Sequence, residues 1–381
     1  MSDDLRETPL FAKANAYNPK TEWDSWALCK TALSISGTPD EECQFIRSGT
    51  AMFDMCPVIK YKIKGNEATK FLNHIMTRQM DIEPGRVTYT TWCNAQGKTL
   101  DDGTVFRLSK DEYRLMPGAR QLEFLQGAVK GFDAQVTDIT NDMACLTVQG
   151  KTSYALLREI GINGLDTLKP FRFADFTFNG KTISVSRTSF VGDLGYEIWC
   201  DNSLIGDVWD ALVKVGAKPM GIIALVQARL EAGLIVPDET FDFKPAKPDG
   251  SDAHEFNRSP LELGLEFVVD FNKGDFVGRS ALEAEKKNGS TWALVGLELE
   301  GTQGSSHGNE VKAGGEIVGK VTSGWVSSNL NKSIALATVK SAQSKVGTAL
   351  TVVIDGKTIN AKVVDRPFYK TDRKTQTPPQ A

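Results

Sequence analysis

One segment of the chain, residues 86 to 102, constrains the fold most because it alternates like a β-hairpin and ends in two acids. Its sequence is RVTYTTWCNAQGKTLDD. A period of two places Tyr89 on one face of the first strand and Trp92 on the other. The turn-forming residues Asn94 to Gly97 then lead into a second strand. The segment therefore predicts a hairpin whose second strand carries Asp101 and Asp102.

The two acids of this hairpin point to opposite sides of their strand, so one of them is expected to face the interior near Tyr89. A buried carboxylate costs free energy unless it has a partner or a chemical task. The alternative is an acidic pair at a solvated strand bend, because most aspartates lie at the surface. The residues alone leave both interpretations open.

Composition sets mild limits on the class of protein. With 381 residues the chain is long for one domain, so we expect two or three. Its 44 basic and 48 acidic residues give a net charge of −4, which favours neither a nucleic-acid partner nor a membrane surface. No stretch has the length and apolarity of a membrane span, and the first residues lack an apolar signal core.

The cysteines and histidines do not predict a metal site. The six cysteines include no C-x-x-C pair, and the three histidines are widely separated. A reduced, cytoplasmic protein is therefore expected.

The chain changes character around Asn288-Gly289. Short strands and helices mix before this point, whereas short β-branched runs broken by Gly or Asn follow it. We predict an α+β region over 1–288, an all-β, barrel-like domain over 289–370 and a disordered tail over 371–381. The predicted C-terminal strands are Trp292 to Leu299, Glu316 to Ser323, Ser333 to Val339, Leu350 to Ile354 and Lys357 to Val364, with a turn at Asp355-Gly356.

The sequence lacks the motifs of several common catalytic sites. It contains no Walker A motif, no strand-linked G-x-G-x-x-G and no G-x-S-x-G nucleophile elbow. The glycine-rich loop from Gly301 to Gly308 is typical of a flexible hairpin connection rather than a phosphate cradle. What remains is polar recognition by carboxylates and aromatic rings.

Glu197 is a candidate for such recognition. It follows the glycine-containing segment Ser186 to Tyr196 and lies on a predicted strand. A carboxylate held on a strand can accept two parallel bonds from a heterocycle that presents an amino group beside a ring N–H. The alternative is an exposed strand glutamate, and the residues alone do not decide between the two.

The order of motifs along the chain resembles that of a known family. The motifs that carry the resemblance are Met52-Phe53-Asp54, Tyr89…Asn94…Asp101-Asp102, Val148-Gln149-Gly150, Arg187-Thr188…Gly192…Gly195-Tyr196-Glu197, Arg229-Leu230-Glu231-Ala232-Gly233, Asp275-Phe276-Val277-Gly278-Arg279, Lys332-Ser333-Ile334-Ala335 and Pro367-Phe368-Tyr369. From about Glu7 to Tyr369, the chain resembles the glycine-cleavage T-protein (aminomethyltransferase) family, whose relatives include tetrahydrofolate-dependent demethylases.

The resemblance implies a multi-domain, ring-like α+β architecture. In it, two folate-binding subdomains and a C-terminal β-barrel surround a central channel for tetrahydrofolate. Asp102 matches the catalytic acid near the folate nitrogens, and Glu197 matches the carboxylate that binds the pterin. Tyr89 matches an aromatic residue that lines the folate cavity.

Two further residues are implied as folate contacts. Phe190 is expected to pack on the folate or on the donor. Arg229 matches the arginine of the family's Arg-Leu-Glu-Ala motif. For Arg229 the alternative is that it holds Glu231 or neighbouring strands in place.

Departures from the family pattern bear on the donor. Asp54 is followed by Met55 to Val58 instead of Val-Ser-His-Met, Phe190 replaces a tyrosine, and Ile223 to Val226 replaces a Gly-Ala-Arg-Asp run. Because these changes remove polar groups, our first hypothesis is a demethylase that moves a methyl group from a small S-, N- or O-methylated compound to tetrahydrofolate. The second is a glycine-cleavage aminomethyltransferase with a lipoyl carrier protein as partner. The third is a folate-binding protein without activity.

Overall fold

The structure is a computed structural model, and it describes residues 5–251 and 253–371. The disordered tail predicted for 371–381 lies outside the described residues from 372 onward. The helices are α1 Phe11–Tyr17, α2 Pro39–Ser48, α3 Ala68–Ile75, α4 Leu122–Ala128, α5 Ser153–Glu159, α6 Ile205–Lys214, α7 Ile222–Glu231 and α8 Arg279–Asn288. Short 3-10 turns lie at Leu165–Thr167, Glu266–Val268 and Ser341–Gln343.

Two antiparallel sheets and a small hairpin precede α8. Their strands are β1 Trp23–Trp26, β2 Cys29–Ala32, β3 Ala51–Asp54, β4 Tyr61–Lys64, β5 Val87–Cys93, β6 Thr99–Arg107, β7 Glu112–Pro117, β8 Gln135–Asp138, β9 Ala144–Gln149, β10 Phe173–Phe178, β11 Lys181–Ser186, β12 Gly195–Cys200 and β13 Lys218–Pro219. One sheet has the order β5-β6-β7-β4-β8, and the other has the order β10-β11-β12-β9-β3-β13. Only the short pair β3 and β13 is parallel among these described strands.

The predicted hairpin is formed by β5 and β6. Thr91 pairs with Asp102 and Trp92 pairs with Asp101, and the register shifts by a bulge between Trp92 and Cys93. Gly97 has a φ of 74°, a left-handed conformation that glycine adopts without a steric penalty. The turn therefore sets the register that places the two acids opposite Thr91 and Trp92, near the end of β5.

Each sheet buries one face under helices, and the two sheets also pack against each other. Phe71 of α3 and Leu125 of α4 lie on the five-stranded sheet, whereas Leu157 of α5 and Val208 of α6 lie on the six-stranded sheet. Between the sheets is a separate cluster of side chains that contains Val87, Phe106, Met116, Cys145 and Trp199. This inter-sheet cluster holds the two sheets together, and the candidate site lies beside it.

The C-terminal region is a closed six-stranded barrel. Its strands are β14 Trp292–Leu299, β15 Glu310–Ala313, β16 Glu316–Ser327, β17 Lys332–Lys340, β18 Ala349–Ile354 and β19 Lys357–Val364, in the order β14-β17-β16-β15-β18-β19. Asp355 and Gly356 form the predicted turn, with φ values of 48° and 74°. The sequence did not predict the short strand β15, which closes the barrel.

The α+β fold class with a C-terminal barrel is therefore confirmed. The division at residue 288 into a folate-binding region of two subdomains and a barrel stays a prediction. No helix in residues 5–251 and 253–371 combines the length and apolar character that crossing a membrane requires. All six cysteines are free and buried.

Candidate active site

A cavity of about 2190 Å³ lies where the two sheets, helix α7 and the barrel meet. Single-ligand sites are typically roughly 300–1,000 Å³, so this cavity has room for more than one bound molecule. All five residues predicted for the site line it, namely Tyr89, Asp102, Phe190, Glu197 and Arg229. Residues far apart in the sequence are thus brought to one place.

Tyr89 and Asp102 form the centre of the hairpin's contribution to the cavity. The Tyr89 hydroxyl donates a hydrogen bond to Oδ2 of Asp102, which is 6 % exposed. Burial, reinforced by the charge of Asp102, raises the pKa of Tyr89 well above its ordinary value, so the phenol keeps its proton and acts as the donor. The bond fixes the orientation of the Asp102 carboxyl and leaves Oδ1 without a hydrogen-bond partner among the described residues.

Asp101, on the other side of β6, has a different environment. It is fully buried, its Oδ1 accepts the backbone N–H of Asp102 at 2.8 Å, and its Oδ2 accepts that of Ala119 at 2.9 Å. Burial, and next the neighbouring charge of Asp102, raise the pKa of Asp101. Because both acids are buried, the solvated acidic pair considered as the alternative is wrong.

The pKa of Asp102 is suited to proton exchange near neutrality. Burial is the main cause that raises it to about 7, and the charge of Asp242 adds to this effect. The hydrogen bond from Tyr89 acts in the opposite direction because it stabilises the charged form. A general acid or base works best when its pKa lies near the working pH.

Glu197 lies on β12 beside a short chain of hydroxyl groups. Its Oε2 accepts hydrogen bonds from Oγ1 of Thr188 at 2.6 Å and from Oγ of Ser186 at 3.1 Å. Its Oε1 has no hydrogen-bond partner among the described residues, although the residue lines the cavity. Burial raises the pKa of Glu197, and the two hydroxyl groups oppose that rise. One carboxylate oxygen is therefore held by the protein and the other is available to a ligand.

Phe190 and Arg229 line the same cavity in different ways. The ring of Phe190 is 37 % exposed and lies in the loop between β11 and β12. Arg229 is fully buried, and its Nη1 donates to Asp242 at 2.5 Å while its Nη2 donates to Ser323 at 2.9 Å. These contacts favour the interpretation that Arg229 holds α7 to the barrel, and its role as a folate contact stays a prediction.

The predicted alternative partner of Arg229 is engaged elsewhere. Glu231 binds Arg47 of α2, with Oε2 2.9 Å from Nε and 2.7 Å from Nη2. Arg47 also pairs with Asp193 at 2.8 Å. This buried group joins helices α2 and α7 to the loop that carries Phe190.

Sequence reasoning missed two charged groups near the cavity. Asp242 is fully buried and accepts bonds from Arg229, Thr322 and Ser323. Arg366 lines the cavity, and its hydrogen bond to the Leu263 carbonyl is long, at 3.4 Å. A lone aspartate in a loop and an arginine after the last strand give no local signal of such a placement.

The described part of the chain contains no group of three or more His, Cys, Asp or Glu side chains that could hold a metal ion. The chemistry available at the site therefore consists of two carboxyls with raised pKa values, a phenol, aromatic faces and a partly engaged guanidinium. Such a set suits the binding of a flat, N–H-bearing heterocycle and the exchange of a proton beside it.

Comparison with known proteins defines the class. Residues 10–273 match the profile of the GCVT N-terminal domain, and residues 293–370 match that of the glycine cleavage T-protein C-terminal barrel domain. The chain belongs to the aminomethyltransferase (glycine cleavage T-protein) family, and it is an enzyme of the class that transfers one-carbon groups.

Particular relatives are similar over nearly their full length. The chain is 32 % identical to the aminomethyltransferase of Bacillus subtilis, covering 96 % of this chain and 99 % of the relative. It is 34 % identical to that of Thermotoga maritima, covering 96 % and 98 %. A crystal structure of glycine cleavage system aminomethyltransferase T from Bartonella henselae has the same fold, with a TM-score of 0.85 at 22 % identity over 96 % of this chain and 98 % of that one.

Proposed function

We propose that the chain is a tetrahydrofolate-dependent aminomethyltransferase that takes its one-carbon unit from a lipoyl carrier protein. The curated relatives that match nearly the whole chain carry the name aminomethyltransferase. This similarity favours the second of the hypotheses drawn from the sequence over the demethylase. The cytoplasmic location suggested by the cysteines stays a prediction.

The observation that carries the proposal is the placement of Glu197 and Asp102 in one cavity, each with one oxygen held by the protein. The free Oε1 of Glu197, beside the held Oε2, fits the amino group and ring N–H of a pterin. The faces of Tyr89 and Phe190 fit its flat rings. A cavity of about 2190 Å³ also has room for the folate tail and a donor arm.

Arg366 completes the set of groups that fit a reduced folate. It lines the cavity with little competition from protein acceptors, so its guanidinium can bind a carboxylate such as that of the folate's glutamate tail. Burial lowers the pKa of Arg366, and the negative charge of Asp242 opposes this effect. An arginine remains charged under these conditions.

The bound reduced folate would supply the nucleophilic nitrogen that accepts the carbon. The residues of the chain bind, orient and exchange a proton. Glu197 fixes the ring system, and Asp102 holds or accepts a proton at Oδ1 while Tyr89 holds Oδ2 in place. Residues of α7 and of the barrel form part of the cavity wall.

The test is a product assay with two donors. Purified protein, tetrahydrofolate and an aminomethyl-lipoyl carrier protein are expected to yield methylenetetrahydrofolate and ammonia, both measured by mass and by coupled absorbance. The matched control is Asp102→Asn, which should bind folate but turn over more than about tenfold more slowly. Failure of the wild-type protein to form either product from this donor would contradict the proposal.

The second candidate is the demethylase predicted from the departures in sequence, and one observation favours it. Trp26 and Trp325 line the cavity, and the indole N–H of Trp325 donates to Oδ1 of Asp40 at 3.4 Å. Two indole rings and a carboxylate that line one cavity suit a cationic methyl donor such as a sulfonium or a methylated ammonium. A screen of such donors, with 5-methyltetrahydrofolate followed by mass, distinguishes it from the aminomethyl reaction.

A further inference from the structure

Arg114 is a buried cation that the proposed function does not use. It lies on β7, is 5 % exposed and has neither Nε nor Nη1 hydrogen-bonded to any residue that the structure describes. A buried guanidinium without partners is costly, since its loss of hydration is not repaid by hydrogen bonds. A buried arginine at this position therefore needs either a compensating negative charge or a functional role.

Two aromatic rings lie beside the Arg114 guanidinium. Its Cζ lies 5.3 Å from the ring centroid of Trp199 and 5.6 Å from that of Phe106. The two rings are themselves 5.7 Å apart at an interplanar angle of 74°. A cation beside these rings is attracted by their electron density and restricts the orientation of the indole.

The indole of Trp199 connects this cation to Glu197. Its Nε1 donates to Oγ of Ser186 at 3.2 Å, and the same Oγ donates to Oε2 of Glu197 at 3.1 Å. Because the serine oxygen accepts from the indole, its single proton is left for Oε2 of Glu197 or for Oγ1 of Thr188, which lies 2.8 Å away and itself donates to Oε2. The orientation of Trp199 thus governs how the hydroxyl supports the carboxylate.

The distribution of charge also links Arg114 to Glu197. The groups that act on Arg114 from the surrounding strands are the thiol of Cys145, the acids Asp175, Glu112 and Glu197, and the amine of Lys60. The Lys60 ammonium donates its three hydrogen bonds to the backbone carbonyls of Cys56, Val58 and Thr140. Glu112 forms an ion pair with Lys64. Burial raises the pKa of Cys145, which keeps its thiol neutral, and Asp175 is exposed. Glu197, which is half-buried at the cavity wall, is the remaining carboxylate of this set.

We propose that Arg114 is a positioning residue for Glu197: through Trp199 and Ser186 it orients the carboxylate toward a ligand that presents N–H groups, and its fixed charge favours the charged form of that carboxylate. This inference rests on the proposed function for the identity of the ligand, tetrahydrofolate. The coupling between Arg114 and Glu197 itself does not depend on any ligand. The two parts can therefore be tested separately.

The first experiment measures thermal unfolding without ligand at pH 8 for four proteins: wild type, Arg114→Met, Glu197→Gln and the double variant. In the wild-type background Arg114→Met should lower the melting temperature, because the carboxylate loses its compensating charge. In the Glu197→Gln background the same substitution should raise it, because an uncompensated cation is removed. We expect the two effects to differ by about 2 °C or more. Equal effects in both backgrounds would overturn the coupling.

The second experiment measures the affinity for tetrahydrofolate by anaerobic calorimetry between pH 5.5 and 8.5. Arg114→Met should weaken binding by about tenfold or more at pH 7.5 and move the acid-side loss of binding to higher pH, whereas Arg114→Lys should restore part of the affinity. In the Glu197→Gln background, adding Arg114→Met should weaken tetrahydrofolate binding by less than about twofold. A merely structural role would weaken binding equally in both backgrounds without moving the pH profile, and that result would overturn the proposal.

Three controls distinguish a non-specific effect of removing an arginine, a variant that does not fold, and a failure of the proposed function. Arg158→Met removes an exposed guanidinium that lies 5.8 Å from the ring of Tyr154, outside the cavity, and should change neither measurement. If Arg114→Met does not fold, Trp199→Phe removes the indole N–H and should weaken binding in the wild-type background but not in the Glu197→Gln background. If the wild type does not bind tetrahydrofolate while the unfolding experiment shows coupling, the proposed function fails and the link from Arg114 to Glu197 stands.

Discussion

Tyr89 and Asp102 are diagonal neighbours across the β5–β6 hairpin, and the tyrosine hydroxyl donates to the carboxylate inside the cavity. Tyr89 pairs with Thr104 and Thr91 pairs with Asp102, so the two side chains share one face of the sheet. The bond opposes the effect of burial on the pKa of Asp102, which settles at about 7. The hairpin thus holds a carboxyl that can gain or lose a proton at neutral pH.

Removing the Tyr89 hydroxyl should move the pH dependence of turnover. The hydrogen bond stabilises the charged form of Asp102, so Tyr89→Phe should raise the pKa of that carboxyl above about 7. The acid limb of the pH–kcat profile should shift to higher pH by up to about one unit. An unshifted limb would mean that Asp102 does not titrate in the rate-determining step.

Asp102→Asn should separate catalysis from binding. The amide has the size of the carboxyl but cannot accept a proton, so turnover should fall by more than about tenfold while the affinity for tetrahydrofolate stays within about twofold. Steady-state kinetics and calorimetry measure the two quantities. Unchanged turnover would remove Asp102 from the mechanism.

The same substitution should alter how stability depends on pH. The pKa of Asp102 is raised from 3.8 to about 7, so the folded state binds the proton more tightly than the unfolded state. The stability from this group is present below about pH 4 and is lost as pH rises through about 7. Asp102→Asn should therefore gain stability relative to wild type between pH 4 and 8, measured by urea unfolding.

An aspartate with the opposite shift provides the control for that measurement. This aspartate is Asp138, which forms an ion pair with Arg120 at 2.7 Å. Burial alone would raise the pKa of Asp138, but hydrogen bonds from Thr140 and Arg120 outweigh it and lower that pKa. Relative to wild type, Asp138→Asn should lose stability as pH rises from the lowered folded-state pKa to about 4, and the deficit should stay constant between about pH 4 and 8. Parallel pH curves for the two variants would contradict the assigned shifts.

Arg229→Met should destabilise the protein strongly. It leaves the fully buried carboxylate of Asp242 without the guanidinium that lies 2.5 Å away. Breaking a buried pair from one side typically costs about 3–5 kcal/mol. The double variant Arg229→Met with Asp242→Asn should recover part of the free energy of unfolding. A single variant of normal stability with weak folate binding would instead support direct contact between Arg229 and the ligand.

The elements that local pattern determines were predictable from the sequence. Alternation and the turn at Gly97 predicted the hairpin, and β-branched runs predicted five of the barrel strands. Strand β15 is only Glu310–Ala313, and its two charged residues and flanking glycines obscure the pattern. Strand β16 runs beyond its predicted end at Ser323 to Ser327, and residues 324 to 327 pair with β17. Within this extension, Ser305 lies 2.2 Å from the position that a Cβ on Gly324 would occupy, so a larger residue would not fit there.

The parts of the site that depend on long-range packing were not predictable from pattern alone. Glu197 and Asp102 became candidates through their strands and through the family resemblance. The partnership of Arg229 with Asp242 crosses from a helix to a loop, and the cation beside Trp199 comes from another sheet. Neither pairing has a sequence spacing that indicates it, because each is set by how the sheets pack.

The most direct test of the central claim, that Glu197 holds a folate ring in the cavity, is the affinity of Glu197→Gln for tetrahydrofolate. The free Oε1 and the hydroxyl-bound Oε2 make the carboxylate a charged acceptor, and such hydrogen bonds contribute about 1.5–3 kcal/mol. Calorimetry should show binding weakened by roughly 10- to 150-fold. The control Glu298→Gln, on the barrel surface beside Lys332, should bind as wild type does. Equal affinity in wild type and Glu197→Gln would contradict the account.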